Sequence, residues 1–246
     1  MRRLSWRWWL GLAFLLVGFA LVRLPAGMLA MVVSSQTEGQ LTLVNAAGSL
    51  WHGSAQPVIK GQALADRLSW SWQPKALLRG QLVYLVRLGT GQGMLTLGWR
   101  RLALQDAHLG IAASPVFQLD QRLAGFGLGG QLWLNTTAFE WQAGQPNGSL
   151  QIEWRDAASS LTPNLQALGS YQLALVPAGK AWQLSLGTTA GRLLLNGQGS
   201  WQPAEGLTAE VGLRAAPGAE AALAPFLSQV GQGEPGTERR LRFNFR

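Results

Sequence analysis

Hydrophobic residues make up 48% and charged residues 13% of the 246-residue chain, which carries a net charge of +8. This composition excludes a disordered chain, because disordered segments are rich in charge and poor in aromatic residues. The basic residues form no stripe with interleaved aromatic residues, which argues against a nucleic-acid-binding protein. The absence of cysteine excludes disulfides, thiolate catalysis and cysteine-bound metals.

The first predicted element is a membrane anchor. Residues 8–22 (WWLGLAFLLVGFALV) carry no charge. The segment is short for a hydrocarbon core of about 30 Å, but Arg7 and Arg23 can extend their charges to the headgroups, and tryptophans lie at the level of an aromatic belt. The predicted anchor residues are Trp8, Trp9, Leu10, Leu12, Phe14, Leu15, Leu16, Val17, Phe19, Leu21 and Val22.

The arginines around this segment predict its orientation. Arg2, Arg3 and Arg7 precede it and only Arg23 follows closely, so the positive-inside rule predicts a cytoplasmic N-terminus in a bacterial inner membrane. A cleaved signal peptide is the alternative, but a small-residue cleavage pattern fits poorly near Arg23, and we expect an uncleaved anchor. Residues 1–33 then form the anchor region, with 24–33 extending the helix or lying at the interface, and residues 34–246 form a periplasmic β domain.

The rest of the chain predicts an antiparallel sheet. Apolar and polar residues alternate from residue 40 to a last strand at Leu241, Phe243 and Phe245, with an Asn147-Gly148 turn among the connections. Helical patterns occur only near residues 114–125 and 217–230. Because so long a sheet must curl, split or close, we expect a mainly β protein with one strongly curved antiparallel sheet or half-barrel and one or two short helices.

The sequence contains no convincing catalytic, cofactor or metal site. His52 and His108 lie in separate segments without ligand partners at suitable spacing. Glu140 and Glu153 flank the predicted turn and could approach each other as an acid/base pair, although exposed positions explain them more simply. The glycines of residues 125–130 match a dinucleotide motif, but a strand follows where that motif requires a helix. We expect no enzyme, no cofactor and no small-molecule ligand.

Several segments together resemble the type II secretion system protein N family. After the anchor come Leu24-Pro25-Ala26, residues 47–55 (AGSLWHGSA), 68–74 (LSWSWQP) and 76–80 (ALLRG), and the second half contains LTP at 161–163, LGSY at 168–171, GRL at 191–193 and GQGSW at 197–201. The motif residues are Gly48, Leu50, Trp51, Gly53, Ala55, Pro163, Gly169, Tyr171, Gly197, Gly199 and Trp201. The resemblance implies a single-pass inner-membrane component of a machine that exports folded periplasmic proteins, with no catalytic residues.

Two further hypotheses remain beside a secretion subunit whose partners are other inner-membrane subunits. The first alternative is a periplasmic lipid-handling protein, which an apolar trough open to solvent would favour over a filled interior. The second is a hydrolase, which would require Glu140 or Glu153 to lie in a cleft with another carboxylate.

Overall fold

The computed structural model describes residues 15–16, 18–19, 23–162, 167–203, 205–230 and 238–245. Its strands follow one another along the chain and are joined mostly by short turns, as expected for a chain rich in glycine. The strands of the first half are β1 (Leu41–Gly48), β2 (His52–Ile59), β3 (Gln62–Ala63), β4 (Leu68–Trp72), β5 (Leu82–Leu88), β6 (Gly91–Gly98), β7 (Arg101–Ala112) and β8 (Leu128–Gln142). Those of the second half are β9 (Gln145–Gly148), β10 (Leu150–Ser159), β11 (Gly169–Ala178), β12 (Ala181–Gly191), β13 (Leu193–Gln202), β14 (Gly206–Ala215) and β15 (Arg239–Phe245).

The helices are few and short. They are α1 (Ala26–Gln36), a 3₁₀ helix (Pro74–Arg79), α2 (Ala113–Phe117), α3 (Gln121–Ala124) and α4 (Glu220–Gln229). The predicted helix near residues 114–125 is thus divided into α2 and α3, and α4 confirms the one predicted within 217–230, with Pro225 inside it.

All described strands belong to one antiparallel sheet in which neighbours in sequence are neighbours in space. The order is β1-β2-β4-β5-β6-β7-β8-β10-β11-β12-β13-β14-β15, with β3 paired to β2 and β9 to β8. Within the described residues, β1 and β15 form the two edges and do not pair with each other, so the sheet is open. The prediction of a mainly β, antiparallel protein is confirmed.

The sheet curls around its apolar face. Three strands separate β8 from β13, so a flat sheet would hold them about 19 Å apart at about 4.8 Å per strand. The ring centroids of Trp141 on β8 and Trp201 on β13 are nevertheless 5.9 Å apart, and those of Phe139 and Trp182 are 5.5 Å apart. Such contacts require the strands to bend towards one another over the apolar side.

The sheet has two ends, which serve as reference points below. The proximal end carries the β1–β2 turn (residues 49–51), the loop with the 3₁₀ helix (73–81) and the β6–β7 turn (99–100). The distal end carries the β5–β6 turn (89–90), α2, α3 and α4. Helix α1 begins beside the proximal end, because Pro25 forms an isolated bridge with Ser49.

Two separate clusters of buried side chains form the core. At the distal end, Leu223, Phe226 and Leu227 of α4 pack onto sheet residues that include Leu193 and Leu213. Near the first strands, α1 packs through Ala26 against a cluster of Leu43, Ala55 and Trp70, with Leu29, Ala30 and Val33 beside it. The helices therefore cover only parts of the apolar face.

The Asn147-Gly148 turn was predicted wrongly. The chain reverses at Ala143 and Gly144, whose φ values of +51° and +87° suit a tight hairpin. Gln142 pairs with Gln145, and Asn147 and Gly148 lie in β9, paired to Glu140 and Phe139. Gly148 does have a positive φ of +85°, but it marks the bend between β9 and β10 instead of the reversal.

The predicted membrane anchor lies mostly outside the described residues. Of its residues, Leu15, Leu16 and Phe19 are described, and their side chains are exposed. In the portion of the chain that the structure covers, no helix has both the length and the apolar character needed to cross a membrane. The predicted boundary between residues 33 and 34 falls inside α1, which packs against the sheet.

Candidate functional site

The first half of the family motif forms the tip of the β1–β2 hairpin, residues 48–53. The indole Nε1 of Trp70 donates to the carbonyl oxygens of Ser49 at 3.2 Å and Leu50 at 3.1 Å. The Trp70 side chain is only 6% exposed. A single buried indole therefore donates to two carbonyls of the turn, which holds the tip against the sheet.

Gly53 lies directly beneath Trp70. A Cβ at this position would come within 2.5 Å of the Trp70 ring atom Cζ2 and within 2.9 Å of the Ala47 carbonyl oxygen. Only glycine leaves room for the indole in this place. Ala55, two residues on, is buried in the α1 cluster, while Trp51 packs its ring at 4.8 Å from that of Trp72.

The hairpin tip also forms backbone contacts with the segment that follows the predicted anchor. The backbone N–H of Leu50 donates to the Leu24 carbonyl at 2.8 Å, and Pro25 forms a bridge with Ser49. The motif thus fixes the point where the N-terminal segment meets the sheet. We call residues 24–25 together with the hairpin tip the anchor junction.

The second half of the motif serves the distal core. The hydroxyl of Tyr171, which is 2% exposed, donates to the Leu193 carbonyl at 3.0 Å, and burial raises the pKa of this phenol well above its ordinary value. Gly169 pairs with Gly191 across β11 and β12. Pro163 lies outside the described residues. Tyr171 and Gly169 are structural, since they fix the strand ends under α4.

Gly197, Gly199 and Trp201 follow one another along the apolar face of β13. Gly199 pairs with Leu184 and Ala209, and a Cβ on it would meet the Thr208 carbonyl oxygen at 2.7 Å. Because Gly197 and Gly199 have no side chains, the apolar face is low at these two positions, and the Trp201 ring projects from the sheet next to them.

An apolar trough lies along this face, on the part that the helices leave uncovered. It has a volume of about 460 Å³ and all of its lining residues are apolar. They come from eight strands and are Leu95, Leu102, Leu104, Leu134, Phe139, Trp141, Leu150, Leu175, Trp182, Leu184, Trp201 and Leu207. The buried Nε1 of Trp182 has no hydrogen-bond partner within the described residues.

The predicted carboxylate pair does not form. Glu140 accepts a hydrogen bond from Nη2 of Arg101 at 3.1 Å. Glu153 pairs in register with Trp133, several positions along β8 from Glu140, and Nε of Arg155 donates to it at 2.8 Å. Each carboxylate thus has its own arginine, so the geometry gives no support to a hydrolase with this pair.

The histidines also lie apart. His108 stacks on Trp133 with ring centroids 4.3 Å apart and contacts the side-chain oxygen of Asn135, whereas His52 lies at the start of β2, within the hairpin tip of the anchor junction. In the stretches of chain covered by the structure, no group of three or more His, Asp or Glu could hold a metal ion. The His108–Trp133 stack was not foreseen, because its two residues are brought together only by the pairing of β7 with β8.

These features define an open antiparallel meander whose hairpin tip binds the N-terminal segment at Leu24 and Pro25. The described residues contain no assembled catalytic centre. The sequence profile of the type II secretion system (T2SS), protein N family matches residues 39–244, which is most of the chain. The chain therefore belongs to the type II secretion system protein N family, as its motifs predicted. No curated protein and no solved structure matches it.

Proposed function

We propose that the chain is a non-catalytic inner-membrane subunit of the type II secretion machinery, with a cytoplasmic N-terminus and a periplasmic β domain that docks onto other inner-membrane subunits. The family match over residues 39–244 carries the proposal. The anchor junction supports it, because it ties the segment next to the predicted anchor rigidly to the sheet through Leu24, Pro25 and Trp70.

The β15 edge is the proposed docking site. Strand addition needs a regular, accessible edge. Strand β15 pairs with β14 without a register shift, and no described strand covers its other side. The opposite edge, β1, is interrupted by a shift between Val44 and Ala47 and a positive φ at Asn45, a distortion that protects edges from pairing.

Site-specific crosslinking tests this docking, because the native chain has no cysteine. The full-length variant Asn244→Cys carries its single thiol at an exposed position on β15. After labelling in the native membrane with a photoactivatable maleimide, we expect adducts with other inner-membrane secretion subunits, identified by mass spectrometry.

Val44→Cys is the matched control, because this half-exposed residue lies on the interrupted β1 edge. It should give far fewer of the same adducts. If neither variant forms an adduct with a secretion subunit in cells that contain the assembled machinery, docking through the sheet edges is excluded.

Lipid handling is a second candidate function, supported by the apolar trough. Its volume of about 460 Å³ lies in the range of about 300–1,000 Å³ that is usual for small-molecule sites, and its lining suits an acyl chain.

A phospholipid with a photoreactive group in its acyl chain tests this candidate. We expect labelling of peptides around Trp182 in the reconstituted full-length protein, and a several-fold loss of labelling in Leu184→Asp, because a charge in an apolar site is costly. Ser185→Asp places the same charge on the opposite, exposed face of β12 and should label as the native protein does. Equal labelling of both variants would reject the trough as the lipid site.

A further inference from the structure

The proximal end of the sheet exposes large apolar side chains. Leu78 on the 3₁₀ helix is 92% exposed and Trp99 in the β6–β7 turn is 94% exposed, and Leu77 is 53% exposed. These large apolar side chains lie at the tips of two neighbouring loops and do not pack in the protein core. Exposed apolar groups clustered in this way mark a surface that contacts another apolar phase.

Basic residues surround these apolar tips. Lys75 and Arg79 flank the leucines on the 3₁₀ helix, and Arg100 follows Trp99. The loops at residues 49–51, 73–81 and 99–100 contain no acidic residue. Aromatic and aliphatic tips combined with lysine and arginine are the composition of segments that lie in the interface of an anionic bilayer.

The fold brings this surface to the place where the predicted anchor ends. The β1–β2 turn holds Leu24 through the Leu50 N–H, and the Trp51 carbonyl accepts from the Trp72 N–H, immediately before the 3₁₀ loop. Strand β5 starts after that loop and pairs with β6, which ends at Gly98, immediately before Trp99. All three loops therefore lie at one end of adjacent strands.

We propose that these three loops form a membrane-contacting rim, in which Leu78 and Trp99 insert into the bilayer interface while Lys75, Arg79 and Arg100 contact anionic headgroups. The sheet then stands upright on the membrane, with the distal end directed away from it. The proposal deepens the proposed function, on whose membrane anchoring its geometry partly rests, but the rim residues can be tested separately from the anchor.

Single cysteines with an environment-sensitive fluorophore test the rim in the full-length protein. The variants are Leu78→Cys and Trp99→Cys, with Thr90→Cys as the matched control in the exposed β5–β6 turn at the other end of β6. At about 3.3 Å of rise per residue, β6 separates Thr90 from Trp99 by about 30 Å. The protein is reconstituted in vesicles of phosphatidylcholine and phosphatidylglycerol that contain a quencher on the lipid.

We expect lipid quenching at positions 78 and 99 to be several-fold stronger than at position 90. Replacing Lys75, Arg79 and Arg100 by glutamine should reduce quenching at position 99, as should 1 M salt, which shortens the screening length to about 3 Å. Replacing Arg67, Arg192 and Arg214 by glutamine removes the same charge from the distal end and should leave the quenching at position 99 unchanged.

The outcomes separate the rim from the anchor. Weak lipid quenching at positions 78 and 99, equal to that at position 90, overturns the rim; if both positions are also shielded from aqueous iodide, the surface is a protein contact instead. Resistance of the protein to alkaline extraction reports on the anchor alone. Rim quenching in protein that alkali does extract would therefore support the rim and contradict the anchoring in the proposed function.

Discussion

Replacing Trp70 by alanine is expected to lower the free energy of unfolding by about 3–5 kcal/mol, the usual cost of removing a large buried aromatic side chain. Trp70 is 6% exposed and packs in the α1 cluster with Leu43 and Ala55. Its loss leaves a cavity and deprives the Ser49 and Leu50 carbonyls of their donor. Equilibrium unfolding of the detergent-solubilised protein in urea, followed by circular dichroism, measures the change.

Two variants divide this effect into its causes. Trp70→Phe keeps most of the packing but removes the indole donor, and it should cost about 1–2 kcal/mol. Trp99→Ala removes an exposed indole and should change stability by no more than about 0.5 kcal/mol. If Trp70→Ala were as mild as Trp99→Ala, the motif would not hold the anchor junction by this packing.

Local sequence was sufficient to predict most of the strands. The alternation at residues 82–88 corresponds to β5, and that of Leu68, Trp70 and Trp72 to β4. One face of an antiparallel sheet packs against the core and the other contacts water, so apolar and polar residues tend to alternate along each strand. Consecutive strands then pair with their neighbours, and no long-range choice is required.

Sequence could not identify which chain reversal closes each hairpin. Asn-Gly favours positive φ, and Gly148 has it, but the same freedom serves a bend between strands as well as a turn. Ala143-Gly144 closes the hairpin because Gln142 and Gln145 continue the pairing of β8 with β9. Alanine at a positive φ carries no sequence signal for a turn.

The sequence also could not predict which part of the apolar face the helices cover. Residues 24–33 are largely apolar, which predicted that they extend the anchor helix or lie at the membrane interface. The sequence did not show that α1 also packs on the sheet, with small residues such as Ala26 and Ala30 in the cluster. Alternation predicts which side chains of one strand share a face, but it cannot show that the helices leave the region around Trp182 and Trp201 open. The trough arises from contacts between strands far apart in sequence, such as Phe139 with Trp182.

The second large effect on stability is expected at the distal end, where Gly169 and Gly191 pair. Gly191→Ala is expected to destabilise the protein by about 2–6 kcal/mol. The backbone of Gly191 has a φ of +130°, which costs an L-residue about 1–3 kcal/mol. A Cβ would also clash with the Gly169 Cα and come within 2.6 Å of the Leu168 carbonyl oxygen, which adds about 1–3 kcal/mol of overpacking.

The neighbours of Gly191 cannot move aside cheaply, which is why the larger values are expected. The Leu168 carbonyl accepts from the N–H groups of Arg192 at 2.8 Å and Leu193 at 3.0 Å, so a shift breaks hydrogen bonds under the α4 core. Gly187→Ala is the matched control on the same strand, because nothing lies within 4 Å of its added Cβ. Urea unfolding should find this control within about 1 kcal/mol of the native protein. Equal stability of the two variants would mean that the close approach of β11 and β12 at Gly169 and Gly191 is not required.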